Sequence, residues 1–257
     1  MSMQNTKAIG KFGRIFFSIA DPFMNRIDLE EFEKHATLGD FQAPDLSIPE
    51  GEDSIKKQLE SQVIVGGNFY KERVVIECER SNPQSGIIAV ELYDSSGERA
   101  LAFEGTLLHD RPSQYSSDKT KYTKADSDIH SYWRVYYRRV LPEARNRGLG
   151  QFGVEQFEQV VEKTAEKNPG LGAEWIEYDT RLASLVKLLI DQKWLKDHGL
   201  EKFASSSGRD LGYVPHPKDE DLIAKVLANG AIKLHDLDVL EKEGVSTPQV
   251  RMIKTLK

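Results

Sequence analysis

The chain has 257 residues, 39% of them apolar and 30% charged, with a formal net charge of −6. That balance describes a folded globular protein long enough to bury a proper core, and it excludes a disordered or fibrous chain. The acidic excess opposes a general nucleic-acid-binding role, since phosphates demand a basic surface, and charges interrupt every apolar run well short of the roughly 18 residues a spanning helix needs.

Along the chain, Asp21 and Pro22 suit a helix start, and the spacing predicts a helix running to about His35. A loop rich in Pro, Gly and Asp follows from Gly39 to Asp53. Residues 1–62 are therefore expected to form an N-terminal helical appendage. From Gln62 the pattern turns to strands, at Val63 to Val65, Arg73 to Glu79, Gly86 to Tyr93 and Arg99 to Leu108. Asp94, Ser95, Ser96 and Gly97 join the last two as an antiparallel hairpin. Arg111 to Asp128 is polar and reads as an exposed loop.

Ser131 to Val140 alternates Trp133, Val135 and Tyr137 with Arg134, Tyr136 and Arg138, the pattern of a strand, and it ends before Pro142. A helix is predicted from about Gly150 to Lys167 on the stripe Val154, Phe157, Val160 and Val161, stopped by Asn168, Pro169 and Gly170. Ala173 to Asp179 reads as a strand, and Arg181 to Lys193 as a helix. Strand, helix, strand, helix after a meander implies an α+β fold with a mixed, mostly antiparallel central sheet flanked by helices, spanning residues 63–212. The tail, residues 213–257, offers helices at Lys218 to Ala228 and Asp236 to Glu243, with an apolar segment at Ala231 to Leu234 between them. It is expected to pack on the main domain as a C-terminal appendage.

A single cysteine, Cys78, precludes an internal disulfide framework and reads as a small hydrophobe in a strand. Met1 to Phe17 has no apolar stretch of secretory length, so a cytoplasmic location is expected. His109, His130 and His198 show no ligand spacing, and no metal site is expected.

The segment Arg145-Asn146-Arg147-Gly148-Leu149-Gly150 lies where a strand hands over to a helix. First-turn amides there have no intrahelical acceptor, the helix dipole adds positive character, and together they form an anion site. Glycines remove the Cβ atoms that would hold a phosphate away, and Arg145 and Arg147 add formal charge. The basic cluster Arg134, Arg138, Arg139, Arg145 and Arg147 falls in the same segment, which is expected to face a nucleotide cofactor. No Gly-Lys-Ser/Thr follows, as a phosphate loop of the Walker type requires, and two glycines are too few for a dinucleotide fingerprint.

With its flanks, Val140-x-Pro142-x-x-Arg145-x-x-Gly148-x-Gly150 resembles the acetyl-CoA-binding signature of the GNAT superfamily of N-acetyltransferases. The resemblance covers roughly Val74 to Trp194. It implies that the backbone amides of Arg147, Gly148, Leu149, Gly150 and Gln151 hold the cofactor pyrophosphate. It also implies that the strand end at Arg139, Val140 and Leu141 pairs with the pantetheine arm, in a gap where that strand parts from the one ending at Asp179. The co-substrate is then acetyl-CoA or another acyl-CoA, and the acceptor a small-molecule or peptide amine, with a homodimer left open.

Acyl transfer needs a base for the amine and an acid for the departing thiolate. Glu177 is the first choice for the base, with Asp179 behind it, and Tyr178 is a candidate hydroxyl donor. The family's tyrosine in the last helix has no counterpart, since Leu189 stands in its place and Lys193 replaces a glycine. That departure admits a rival reading, a non-catalytic acyl-CoA-binding or protein-interaction module. A third reading is a structural α+β protein whose glycine turn holds no ligand.

Overall fold

The structure is a computed structural model that describes residues 8–9, 14–15, 41–79, 86–110, 130–145, 148–180, 182–203, 211–217, 219–229 and 250–256. Its strands are β1 (Ala8–Ile9), β2 (Arg14–Ile15), β3 (Ser54–Val65), β4 (Asn68–Glu79), β5 (Gly86–Tyr93), β6 (Arg99–Asp110), β7 (His130–Val140), β8 (Trp175–Thr180), β9 (Val214–Pro215) and β10 (Val250–Thr255). Its α-helices are α1 (Leu149–Lys167), α2 (Ala183–Leu189), α3 (Gln192–Asp197) and α4 (Glu220–Asn229). β1 and β2 pair with each other, and the other strands form one mixed, mostly antiparallel sheet in the order β3-β4-β5-β6-β7-β8-β10-β9. The chain divides into two compact units, Met1–Thr106 with Tyr137–Gly172, and Leu107–Tyr136 with Ala173–Lys257.

In the first unit, β3 and β4 are joined by Gly66 and Gly67, both at positive φ (58° and 79°). A two-residue turn with two such angles matches the right-handed twist of the strands it connects. β4 turns Tyr70, Glu72, Val74, Ile76 and Cys78 inward, and β5 adds Ile88, Val90 and Leu92. α1 packs on β5, with Val154, Phe157, Val160 and Val161 fully enclosed. At Gly153 this helix lies close against the sheet, since a Cβ built there would be 2.4 Å from the Phe103 ring. At the far end Asn168 caps the helix, its N–H donating to the Thr164 carbonyl. The Asn168 amide also fastens the preceding loop, accepting from Leu46 N–H (3.1 Å) and donating to the Pro44 carbonyl (3.1 Å). Cys78 is a buried strand residue whose thiol is pushed up to about 11 by burial, with Glu77 adding to the shift, as suits an inert packing group.

In the second unit, β8 runs parallel to β7, in register from Tyr132 opposite Trp175 to Val135 opposite Tyr178. On its other side β8 pairs antiparallel with β10, from Val250 opposite Thr180 to Thr255 opposite Trp175, and β9 pairs with β10. Tyr132 stacks on Trp175 at 5.2 Å between ring centroids, and Tyr178 meets Tyr213 edge-on at the same separation. Tyr132, Trp133, Arg134 and Val135 are all buried, so β7 here is covered on both faces.

Several boundaries differ from the sequence reading. The expected division at residue 62 falls inside β3, which starts at Ser54. The first part of that strand, Ser54 to Gln62, is exposed over most of its length, and Lys and Glu side chains hide its alternation. The expected helix from Arg181 to Lys193 is broken, because Ile190 is extended and bridges to Tyr213 while Asp191 caps a new helix, accepting from Lys193 and Trp194 N–H. The tail is part of the sheet, since β10 lies between β8 and β9. The helices expected after Asp21 and at Asp236, the apolar segment at 231–234 and the loop at 111–128 lie outside the described residues.

Gly153→Ala tests the close approach of α1. Alanine gains about 1 kcal/mol of helix propensity, but forcing a methyl against the enclosed Phe103 ring costs about 1–3 kcal/mol. A net loss of stability is expected in denaturant unfolding.

Candidate functional site

The residues singled out for an anion site all belong to the first unit. β7 ends at Val140, and Leu141 donates its N–H to the Ala100 carbonyl at 3.0 Å. Pro142–Ala144 forms a single 3-10 turn, after which Arg145 returns to extended geometry with its side chain exposed. Arg139 is exposed and Val140 half-buried. Arg147 lies outside the described residues.

Gly148 is the N-cap of α1, at φ 80° and ψ 1°. L-residues with a side chain resist that left-handed conformation, which costs roughly 1–2 kcal/mol, so glycine is what permits the sharp entry. A Cβ built on Gly148 would meet nothing within 4 Å among the described residues. The first bond into the helix runs from Phe152 N–H to the Gly148 carbonyl at 3.0 Å. The amides of Leu149, Gly150 and Gln151 precede it and are the orphan donors of a helix start. Among the described residues no side chain caps this end, and no acid occupies the first turn. The Gln151 side chain turns along the helix to Glu155 Oε1 (2.8 Å) rather than back over the amides. Leu149 anchors the turn in the core, at 1% exposure.

The candidate catalytic residues belong to the second unit. Glu177 is completely enclosed, and its Oε1 accepts from Arg134 Nε (2.8 Å) and from Arg134 Nη2. Burial works against the Arg134 charge, but Glu177 and then Asp179 outweigh it and hold the guanidinium proton more firmly than usual. Asp179 lies 3.8 Å from Arg134 Nε and 3.9 Å from Arg251 Nε, with about a quarter of its side chain exposed. Arg251 is oriented in turn by Asp219, through an ion pair at 3.6 Å and the Arg251 N–H at 3.0 Å. Glu177, Arg134, Asp179, Arg251 and Asp219 thus alternate in sign across β7, β8, β10 and the turn before α4. Tyr178 points to the opposite face and is fully buried beside Tyr213.

This corrects one sequence expectation. Arg134, grouped with the arginines facing a nucleotide, is committed to Glu177 inside the sheet. Neither Arg251 nor Asp219 is expected as a site residue from the sequence: Arg251 shows only as a lone arginine in the run Val250-Arg251-Met252-Ile253, and Asp219 reads as part of an acidic helix start. His109 contacts Ser131 Oγ (2.8 Å), and His130 contacts both Glu174 oxygens (2.9 and 3.0 Å). Among the described residues no group of three or more His, Cys, Asp or Glu side chains is placed to hold a metal ion, and no helix is long and apolar enough to cross a membrane. No protein-family model matches the chain, and no curated protein matches it.

Removing one partner of a buried pair leaves a stranded charge, at a cost of roughly 3–5 kcal/mol. Arg134→Met is therefore expected to lower unfolding stability by about that amount, and Arg134→Met with Glu177→Gln to recover most of it. Equilibrium denaturation of both variants gives the comparison.

Proposed function

We propose that the chain is an N-acyltransferase of the GNAT kind, taking an acetyl or other acyl group from CoA to a primary amine by direct attack. The observation that carries the reading is the open start of α1: a left-handed glycine, then amides that no described side chain caps, with no acid in the first turn. These are the conditions under which a diphosphate is drawn to a helix N-terminus, each favourable contact contributing roughly 0.3–2 kcal/mol. Backbone amides at Gly148 to Gln151 would hold the pyrophosphate, and the exposed Arg145 would add charge at its rim. The chain order supports the same reading, since α1 connects the parallel neighbours β7 and β8. β7 also continues past its last partner in that ladder, Val135, to Val140. The expected place for the acyl arm is along that continuation.

Of the two acidic candidates, Asp179 reaches solvent and Glu177 does not. An amine acceptor needs an accessible group to receive its proton. Asp179 is therefore the better candidate for a base in the second unit, and Glu177 balances Arg134.

The rival, a binding module without fast chemistry, is favoured by one observation. Both carboxylates are engaged by guanidinium groups. Two measurements separate the readings. Acetyl-CoA is expected to raise the thermal midpoint of the wild type, because a ligand of the native state alone stabilises it. Gly150→Glu, which sets a carboxylate beside the amides, is expected to abolish that rise while the unliganded midpoint stays within a few degrees. An equal rise in both proteins removes the site. Thiol release from acetyl-CoA with a panel of amines identifies the transferase, and binding without release identifies the module.

A further inference from the structure

A second polar feature lies within the first unit, away from the start of α1. Glu72 sits on the inward face of β4 at 6% exposure, between the apolar Val74 and the ring of Tyr70. Directly opposite on β3, Ser61 donates its hydroxyl to Glu72 Oε2 at 2.6 Å. From α1, the side-chain amide of Gln156 lies within hydrogen-bonding reach, itself 1% exposed. Opposite on β5 is Leu92, an apolar neighbour. The charged neighbours Lys71, Arg73 and Glu91, with Tyr93, alternate to the other face of the sheet. The proton affinity of Glu72 is raised by burial, the Ser61 hydroxyl and then the Gln156 amide oppose that rise, and no charged group among the described residues adds to it.

Two oxygens in this cluster, Glu72 Oε1 and Gln156 Oε1, are buried without a donor among the described residues. An ionised carboxylate here would face the apolar Val74 and Leu92 with no cation among the described residues to compensate it, a heavy penalty. A proton on Glu72 Oε1 removes the charge and supplies the missing donor, because the Gln156 amide can turn its carbonyl toward it.

We propose that Glu72 is a proton-dependent latch. As the neutral acid it bridges Ser61 on β3 and Gln156 on α1 and seats the helix on the hairpin, and on ionising it gives its proton to water and releases that seat. Because α1 begins at Gly148, the latch couples solution pH to the steadiness of the helix start.

The sign follows from the raised proton affinity of the folded state. Stability from the latch is complete below the ordinary glutamate range, and it is lost as pH rises through the higher folded-state value. Thermal and urea unfolding of the full chain across pH, compared with Glu72→Gln, reads the effect. Within that window the unfolding constant of the wild type should grow up to about tenfold per pH unit relative to the variant. Amide protection factors of residues 153–161, taken relative to the intrinsic exchange rate at each pH, should fall over the same range in the wild type alone. Parallel curves for the two proteins overturn the latch.

Should Glu72→Gln fail to fold, infrared spectra of the wild type decide the matter. A carboxylic-acid carbonyl band that fades with rising pH, and that Ser61→Ala displaces, supports the latch. The absence of any such band at acid to neutral pH overturns it.

Discussion

The second unit is organised around one buried ion pair. Glu177 and Arg134 lie side by side in the parallel register of β7 and β8, and neither could be enclosed without the other, because an isolated charge in that setting would cost far more than the packing around it returns. Once the pair is fixed, Asp179 is held between Arg134 and Arg251, and β10 is drawn into register beside β8. The aromatic contacts of Tyr132 with Trp175 and Tyr178 with Tyr213 then fill the two faces of the same strands. Hydrophobic burial supplies most of the driving force and itself favours one register, and the ion pair adds a charge match at Arg134 and Glu177 within it.

The first unit solves a different problem. On the proposed reading α1 offers an open N-terminus while staying firmly seated, and its sequence divides the labour along its length. Leu149 enters the core at the first turn, Gly153 allows the backbone down onto Phe103, Gln156 meets Glu72, and Asn168 clamps the far end to the loop at 44–46. Anchoring below and behind the first turn leaves its amides without a competing side chain among the described residues. An anion site at a helix start depends on that arrangement, because a cap that steadied the helix by itself would occupy the same donors.

Much of this was legible in the residues, for local reasons. Gly86 to Tyr93 reads as a strand because alternation and turn residues bound it on each side, and the structure has it at those limits. The turn at Gly148 was legible because a left-handed residue between strand and helix calls for glycine. What escaped depends on distant partners. The outer half of β3 is exposed, so Lys56, Lys57 and Glu60 carry no periodic signal. β10 looks like an unremarkable six-residue run until β8 and β9 are beside it. The break at Ile190 follows from its bridge to Tyr213, more than twenty residues away in the chain. Glu177 stood out as a strand carboxylate, but its enclosure follows from a partner 43 residues earlier, set opposite it by a parallel register that composition cannot reveal.

The position of β10 bears on how the molecule is made. Its pairing with β8 joins residues about 70 positions apart, from Thr180 to Val250. During synthesis β8 therefore emerges with one edge unpaired, and with Asp179 lacking its second guanidinium, until that much more chain has been added. Strand edges left open in this way invite association with other nascent chains, and closing them late is slow because the intervening loop must first be brought together. Ribosome-bound chains that stop short of Val250 would on this account be the most aggregation-prone form of the protein, and the ones with most need of a chaperone.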